Sequence, residues 1–401
     1  MKLKKTYNTR ISLAGTIARA CLLGAMPLLS LSTSSTMATP SLVVSVNDQA
    51  SGYANEGMHV RPGPRPGGIS VLDLAATPVR AWHIDGIPCS VIGPPSPAAI
   101  SADGREILIA ASMQPDPANP GKLLPDPRVT RLRLGAAGLE RLGDIEAGAQ
   151  ASGLRLSKDA TRAWVALRGE GGIALLHLEH DKMRVAKKWT FATADDSLAD
   201  IAISPDERTA FATLHNTRTL LVFDVDAAGA LSQRQRVPMP EHPYHIAFFP
   251  DGKRVLVGCT TDADVMCLLE KTSGGEWRIR ENIPTGRIPE GVFISPDGRW
   301  VAATCFDGAN ICNPQNPWFG RPARLYIYAV QPNGELSQTQ ALKLDGVPQG
   351  AAFSADSRRL VATQFGPGNL AVFALEDGQW RPTGEFIEMP GQPAAMSMPA
   401  K

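Results

Sequence analysis

The sequence lacks any sizeable net charge. Its 40 lysines and arginines are offset by 39 aspartates and glutamates, which leaves a formal +1 at pH 7. No dense basic run follows the first twenty residues. A chain so balanced has no broad field to hold nucleic acid or an anionic bilayer, and neither partner is expected. Beyond its N-terminus it also lacks any apolar stretch long enough to cross a membrane, so no membrane insertion is expected. No cysteine pair has CxxC spacing, and no histidine stands at zinc-ligand spacing from a cysteine. Neither a CxxCH haem site nor a copper-ligand cluster occurs. No metal and no cofactor are expected. The Gly-rich phosphate loop, the GxSxG elbow and the HExxH helix are missing too.

What is present begins with an export pattern. Lys2, Lys4, Lys5, Arg10 and Arg19 precede the apolar stretch Ala20 to Leu31, and a Ser/Thr-rich segment ends in Thr36-Met37-Ala38. This reads as a signal peptide over residues 1–38, with a periplasmic or secreted mature chain of residues 39–401. In an oxidising compartment closely spaced cysteines tend to pair. Cys259 and Cys267 flank a hairpin tip, and Cys305 and Cys312 bracket part of a long loop. Two local disulfides are expected, with Cys89 left free.

One phrase recurs: PAAISADGREILIAA, SGLRLSKDATRAWVAL, ADIAISPDERTAFATL, YHIAFFPDGKRVLVGC, EGVFISPDGRWVAATC and QGAAFSADSRRLVATQ. Its aspartates are Asp103, Asp159, Asp206, Asp251, Asp297 and Asp356, at intervals of 56, 47, 45, 46 and 59 residues. An alternating strand runs into a Ser-Pro-Asp-Gly turn, and a second strand rich in Val, Ala and Leu follows. Two further strands complete a four-stranded unit, the period of a propeller blade. A seventh unit is split. Ser41 to Asp48 reads as a second strand without its turn, Gly68 to Leu74 as a third strand, and Gln392 to Pro399 as a first strand. The fold expected is an all-β, seven-bladed propeller closed by both termini in one blade, which removes the open edges.

In this strand order the loops between second and third strands share a face with the loops between blades. Three are long: Gln49 to Gly67, Met113 to Arg128 and Asp307 to Ala323. They are expected to form an irregular lip beside the central mouth, with Tyr53, His59, Trp318 and Phe319 as contact surface. Residues six before each aspartate should line the funnel. Most are small, but Asp200 and His245 occupy equivalent places on adjacent blades. Residues nine after each aspartate include Arg168, His215 and Thr260, and Arg287 and Glu290 flank the same funnel. His245, Asp200 and Arg168 are the catalytic candidates, as an acid–base pair with a guanidinium. His215, Thr260, Glu290, Arg287, Tyr53, Trp318 and Phe319 are the ligand-binding candidates.

The phrases PEGVFISPDGRWVAAT and HIAFFPDGKRVLV resemble those of lactonase-like, YVTN-repeat propellers, which include 6-phosphogluconolactonase and the carboxymuconate-cyclising enzymes. The resemblance implies a funnel site built on a Pro-Arg-His strand, an Asn-Glu after the next strand and an Asn-Arg one blade later. His245 matches the family histidine, whereas Tyr244 replaces the arginine, Cys259-Thr260 the Asn-Glu and Cys305-Phe306 the Asn-Arg. The first expectation is therefore a monomeric binding propeller that holds a small molecule, glycan or protein partner at its lipped face. The alternative is a lactone hydrolase or cyclase using His245 with Asp200 and Arg168.

Overall fold

A computed structural model describes residues 40–54, 57–261 and 263–399. The expected signal peptide lies outside these residues. Each repeat folds as the turn chemistry dictates. In the Asp103 turn, the Ser101 hydroxyl donates to Asp103 Oδ1 at 2.5 Å, and the Arg105 N–H donates to the same oxygen at 3.0 Å. Identical pairs hold the turns of Asp159, Asp206, Asp297 and Asp356. Burial alone would push the carboxyls of Asp103, Asp159, Asp206 and Asp297 up. In Asp103, Asp159, Asp206 and Asp297 the serine and backbone bonds outweigh it and hold them below the ordinary value.

Each turn joins the first two strands of a blade. Blade 1 comprises Ala98–Ile100, Glu106–Pro115, Leu123–Gly135 and Gly138–Glu146; blades 2 to 6 repeat that order through Gln379–Glu388. Blade 7 pairs Gln392–Ser397 with Leu42–Asp48, then with Gly67–Asp73 and Arg80–Ile87. Val44 faces Ser397 and Val46 faces Ala395 in antiparallel register. The ring therefore closes as its split unit demands. All seven blades are four-stranded and antiparallel.

The core is a set of layers between neighbouring blades. Trp164, Leu175, Ile201 and Phe223 fill one such layer between blades 2 and 3. Trp277 packs edge-on to Phe211 at 5.0 Å, and Trp380 packs against Phe353 at 5.5 Å. The first strands are the innermost, and those of blades 2 to 5 carry bulges, as between Leu198 and Ile201 in blade 3 and between Pro243 and Ile246 in blade 4. A bulge re-aims its side chains and frees backbone N–H groups. Those groups are taken up by the preceding blade: Ile246 N–H donates to Asp200 Oδ2 at 2.9 Å, and Val292 N–H to His245 Nδ1 at 3.1 Å.

Two expectations are corrected here. The five cysteines Cys89, Cys259, Cys267, Cys305 and Cys312 are free thiols. Cys259 lies opposite Val265 and Cys267 opposite Val257, so the two thiols sit diagonally, with sulfurs 3.7 Å apart in hydrogen-bond contact. Cys305 ends a buried strand, and the turns that follow lead Cys312 away toward Asn310 O. The lip is also more regular than expected. Blade 1 extends its second and third strands to Pro115 and Leu123, and the blade 7 insertion pairs Ser51–Ala54 with Gly57–Val60. Only the blade 5 loop is built from turns.

Candidate functional site

The loop face of the funnel divides into two halves. On one side Val91, Phe306, Val347, Phe365 and Ala394 form an apolar plug. Opposite it, blades 2 to 5 bring polar side chains together. Arg168 directly follows Arg162–Leu167, the second strand of blade 2, and its Nε donates to Ser197 Oγ at 2.6 Å. Its guanidinium stands 5.9 Å from the centre of the Tyr244 ring and reaches the Tyr244 hydroxyl. His215 packs against the same ring at 5.0 Å, and on His242 at 4.8 Å. The backbone N–H of Thr260 donates to His242 O, which ties blade 4 to the same cluster.

Glu290 completes the group. The residue is 9% exposed, and its carboxyl makes no hydrogen bond to a described residue and faces the charge of Arg168. Burial pushes its carboxyl up to about 8 against the pull of that guanidinium. Burial, then Arg168 and His242, bring His215 down to about 4. Burial also raises the Tyr244 phenol, helped by Glu290. Near neutrality the mouth therefore holds a largely protonated carboxyl, a neutral imidazole and a guanidinium.

The expected His–Asp pair is not formed. Asp200 Oδ1 accepts from Ser96 Oγ at 2.6 Å and Ile201 N–H at 2.8 Å, and Oδ2 accepts from Ile246 N–H. Arg155 stands 3.5 Å from Oδ2. His245 accepts from Val292 and packs on Phe293 at 5.0 Å. Both side chains serve as staples between neighbouring inner strands. Arg287 does not pair with Glu290 either: its N–H donates to Asp307, its Nε lies 3.9 Å from Asp264, and its guanidinium covers Trp318 at 4.6 Å. Arg321 covers the same indole at 4.2 Å. Trp318 is thus a clamp for its loop, while Phe319 remains 47% exposed. Tyr53 lies on the strand Ser51–Ala54, and its side chain is outside the described residues.

A family profile described as lactonase, seven-bladed β-propeller, matches residues 185–275, the segment that carries Asp200, His215 and His245. The chain resembles a lactonase-type propeller. Solved structures agree. A 6-phosphogluconolactonase candidate from Bacteroides uniformis superposes with a TM-score of 0.68 at 16% identity, over 88% of this chain and 98% of that one. Another from Bacteroides fragilis gives 0.66 at 15%, over 90% and 98%. The periplasmic gluconolactonase of Pseudomonas aeruginosa gives 0.64 at 19%, over 89% and 98%. At such identities the likeness speaks for the fold. No curated protein matches the sequence.

Within this propeller, sequence reasoning missed two features. Tyr244 entered only as a replaced arginine, yet it is the surface on which Arg168 and His215 meet. Arg155 was overlooked altogether. A signal for it existed: four residues before the aspartate, the other repeats carry Ala99, Ala202, Ala247, Phe293 and Ala352. One guanidinium among small and apolar side chains marks a position that faces the channel.

Proposed function

We propose that this chain hydrolyses lactones at the loop-face mouth, with Glu290 as the acid–base group and Arg168 as the oxyanion ligand. The observation that carries the reading is the buried Glu290 carboxyl, without a hydrogen bond to a described residue, facing a guanidinium fixed by Ser197. A carboxyl raised to about 8 is a far stronger base than an ordinary one, and its ionised fraction grows across the neutral range. In the ionised form Glu290 takes a proton from water as the water oxygen bonds to the lactone carbonyl carbon. Negative charge then gathers on the carbonyl oxygen beside Arg168. Collapse breaks the ring C–O bond, and Glu290 returns its proton to the departing alkoxide. His245 and Asp200 hold the inner strands in this scheme. The N-terminal pattern and the periplasmic gluconolactonase among the similar structures favour export.

The test is hydrolysis of a panel of sugar and aliphatic lactones between pH 6 and 9. Turnover should rise toward pH 8. Arg168→Met should lower kcat/KM by about 10²–10³, and Glu290→Gln should remove the pH-dependent rise. Retained turnover in both variants would overturn the assignment.

A second reading has its own support. Between the blade 7 hairpin and the blade 5 loop lies a groove of about 820 Å³, lined by His59, Arg61, Phe319, Arg321 and Lys343. It fits a binding role for the lipped face, toward a small molecule, glycan or protein partner. A wild-type protein inert toward every lactone yet retained on an acidic glycan would favour it.

A further inference from the structure

The channel has a second end. Below the layer of Asp200 and His245, a cavity of about 240 Å³ runs to the Ser-Pro-Asp-Gly turns on the opposite face, as far as Pro205, Pro250 and Pro296. Its size is below the ~300–1,000 Å³ of pockets for drug-sized ligands, which limits the guest to a small molecule. The walls are mostly apolar, with Phe248, Phe293, Met396 and Met398 among the larger side chains, and Ala202 and Ala247 keep the bore open.

Two donors converge at the inner end. Arg155 reaches the cavity, and two of its five N–H groups are taken by Leu154 O and Ile246 O, at 2.8 and 3.1 Å. Since His245 Nδ1 accepts from Val292, the neutral ring carries its proton on Nε2. No described residue accepts from that N–H. Asp200 offsets the charge of Arg155 from behind. Its oxygens are occupied by Ser96, Ile201 and Ile246, and it does not line the cavity. At the rim, Glu207 is engaged by Lys158 N–H and by Arg162. Lys158 adds a positive charge at the same opening.

We infer that this cavity binds a small monocarboxylate with an apolar body, such as an aromatic or short-chain aliphatic acid. The carboxylate would lie against the Arg155 guanidinium and the His245 Nε2–H, with the apolar portion between Phe248, Phe293 and the two methionines. A planar guanidinium beside a second N–H donor suits a carboxylate in a dry site. Apolar walls disfavour a polyhydroxylated acid, whose hydroxyls would be stripped of water without partners. The site lies on the opposite face from the proposed lactone chemistry and does not depend on it.

Isothermal titration of the protein with benzoate, phenylacetate and hexanoate tests this, with benzamide and gluconate as controls. At least one of the three acids should bind saturably at one site, and both controls should bind at least tenfold more weakly. Arg155→Met should weaken the acid tenfold or more. Because that change also strips Asp200 of a neighbour, Ala247→Leu provides a second probe, filling the bore without touching charge, and should abolish binding. Absence of saturable binding by all three acids would overturn the proposal. So would binding that Ala247→Leu leaves intact, or benzamide binding as tight as benzoate.

Discussion

At the loop end of the central channel, Arg168, His215, Tyr244 and Glu290 converge opposite an apolar plug. At the turn end, mostly apolar walls enclose one guanidinium and one imidazole, with Lys158 and Glu207 at the rim. The same seven inner strands build both ends. Bulges account for the difference, because each turns consecutive residues to different sides. Tyr244 faces the mouth, whereas its neighbour His245 faces the cavity. One fold therefore holds two chemically distinct environments on a common set of strands, separated by a layer of side chains hydrogen-bonded to backbone.

The largest effect is expected in that separating layer. Asp200→Ala removes the acceptor for Ser96 Oγ, Ile201 N–H and Ile246 N–H, and leaves Arg155 without its carboxylate. Stranding buried partners of this kind costs about 3–5 kcal/mol. Urea denaturation should show that loss, and both ends should lose their ligands together. If only one end fails, the layer is not the shared support described here.

Next in size is an effect confined to the mouth. The folded value of Glu290, about 8, lies above the ordinary value of 4.5. The native state thus keeps a proton that the unfolded chain gives up. The contribution to stability is complete below about pH 4.5 and is lost as pH rises through 8, a change on the order of a few kcal/mol. Glu290→Gln should abolish this slope in denaturation curves taken from pH 5 to 9. The opposite slope should persist in the variant. Half-buried His215 and buried His245 are held below the ordinary value of 6.5, mainly by desolvation, so their contribution is present above that pH and lost as it falls. Glu290→Gln with an unchanged slope would mean that its carboxyl is not buried as described.

These two effects mark the limit of what the sequence conveys. The turns of Asp103 to Asp356 are local chemistry, so their spacing is enough to count blades and to see that residues 392–399 complete the blade of residues 41–48. The register is also local, and Asp200 and His245 do lie in the inner layer. Their orientation is not local: it follows from bulges that no residue type marks. The meeting of Arg168, Tyr244 and Glu290 joins three blades, and spacing within one repeat carries no information about it. The expected disulfides failed for a related reason. Cys259 and Cys267 are close in sequence, but strand register sets them diagonally rather than face to face.

The smallest expected effect lies at the rim of the turn end. Gly104, Gly252 and Gly298 take the left-handed conformation in their turns, with φ of 74°, 65° and 71°. In blade 2 the same place is held by Ala160, at φ 55°. A side chain with a Cβ costs about 1–2 kcal/mol there, while glycine costs about 0.5–1 kcal/mol through the freedom it gains when unfolded. Ala160→Gly should therefore stabilise the protein by about 0.5–1 kcal/mol, read as a small rise in Tm. Lactone turnover at the mouth should not change, because the turn touches none of its residues. A change in turnover would show that the two ends are coupled through the strand Ala151–Leu156, which carries Arg155 and leads into this turn. Stability and turnover measured on the same variant thus separate a local relief of strain from communication along the channel.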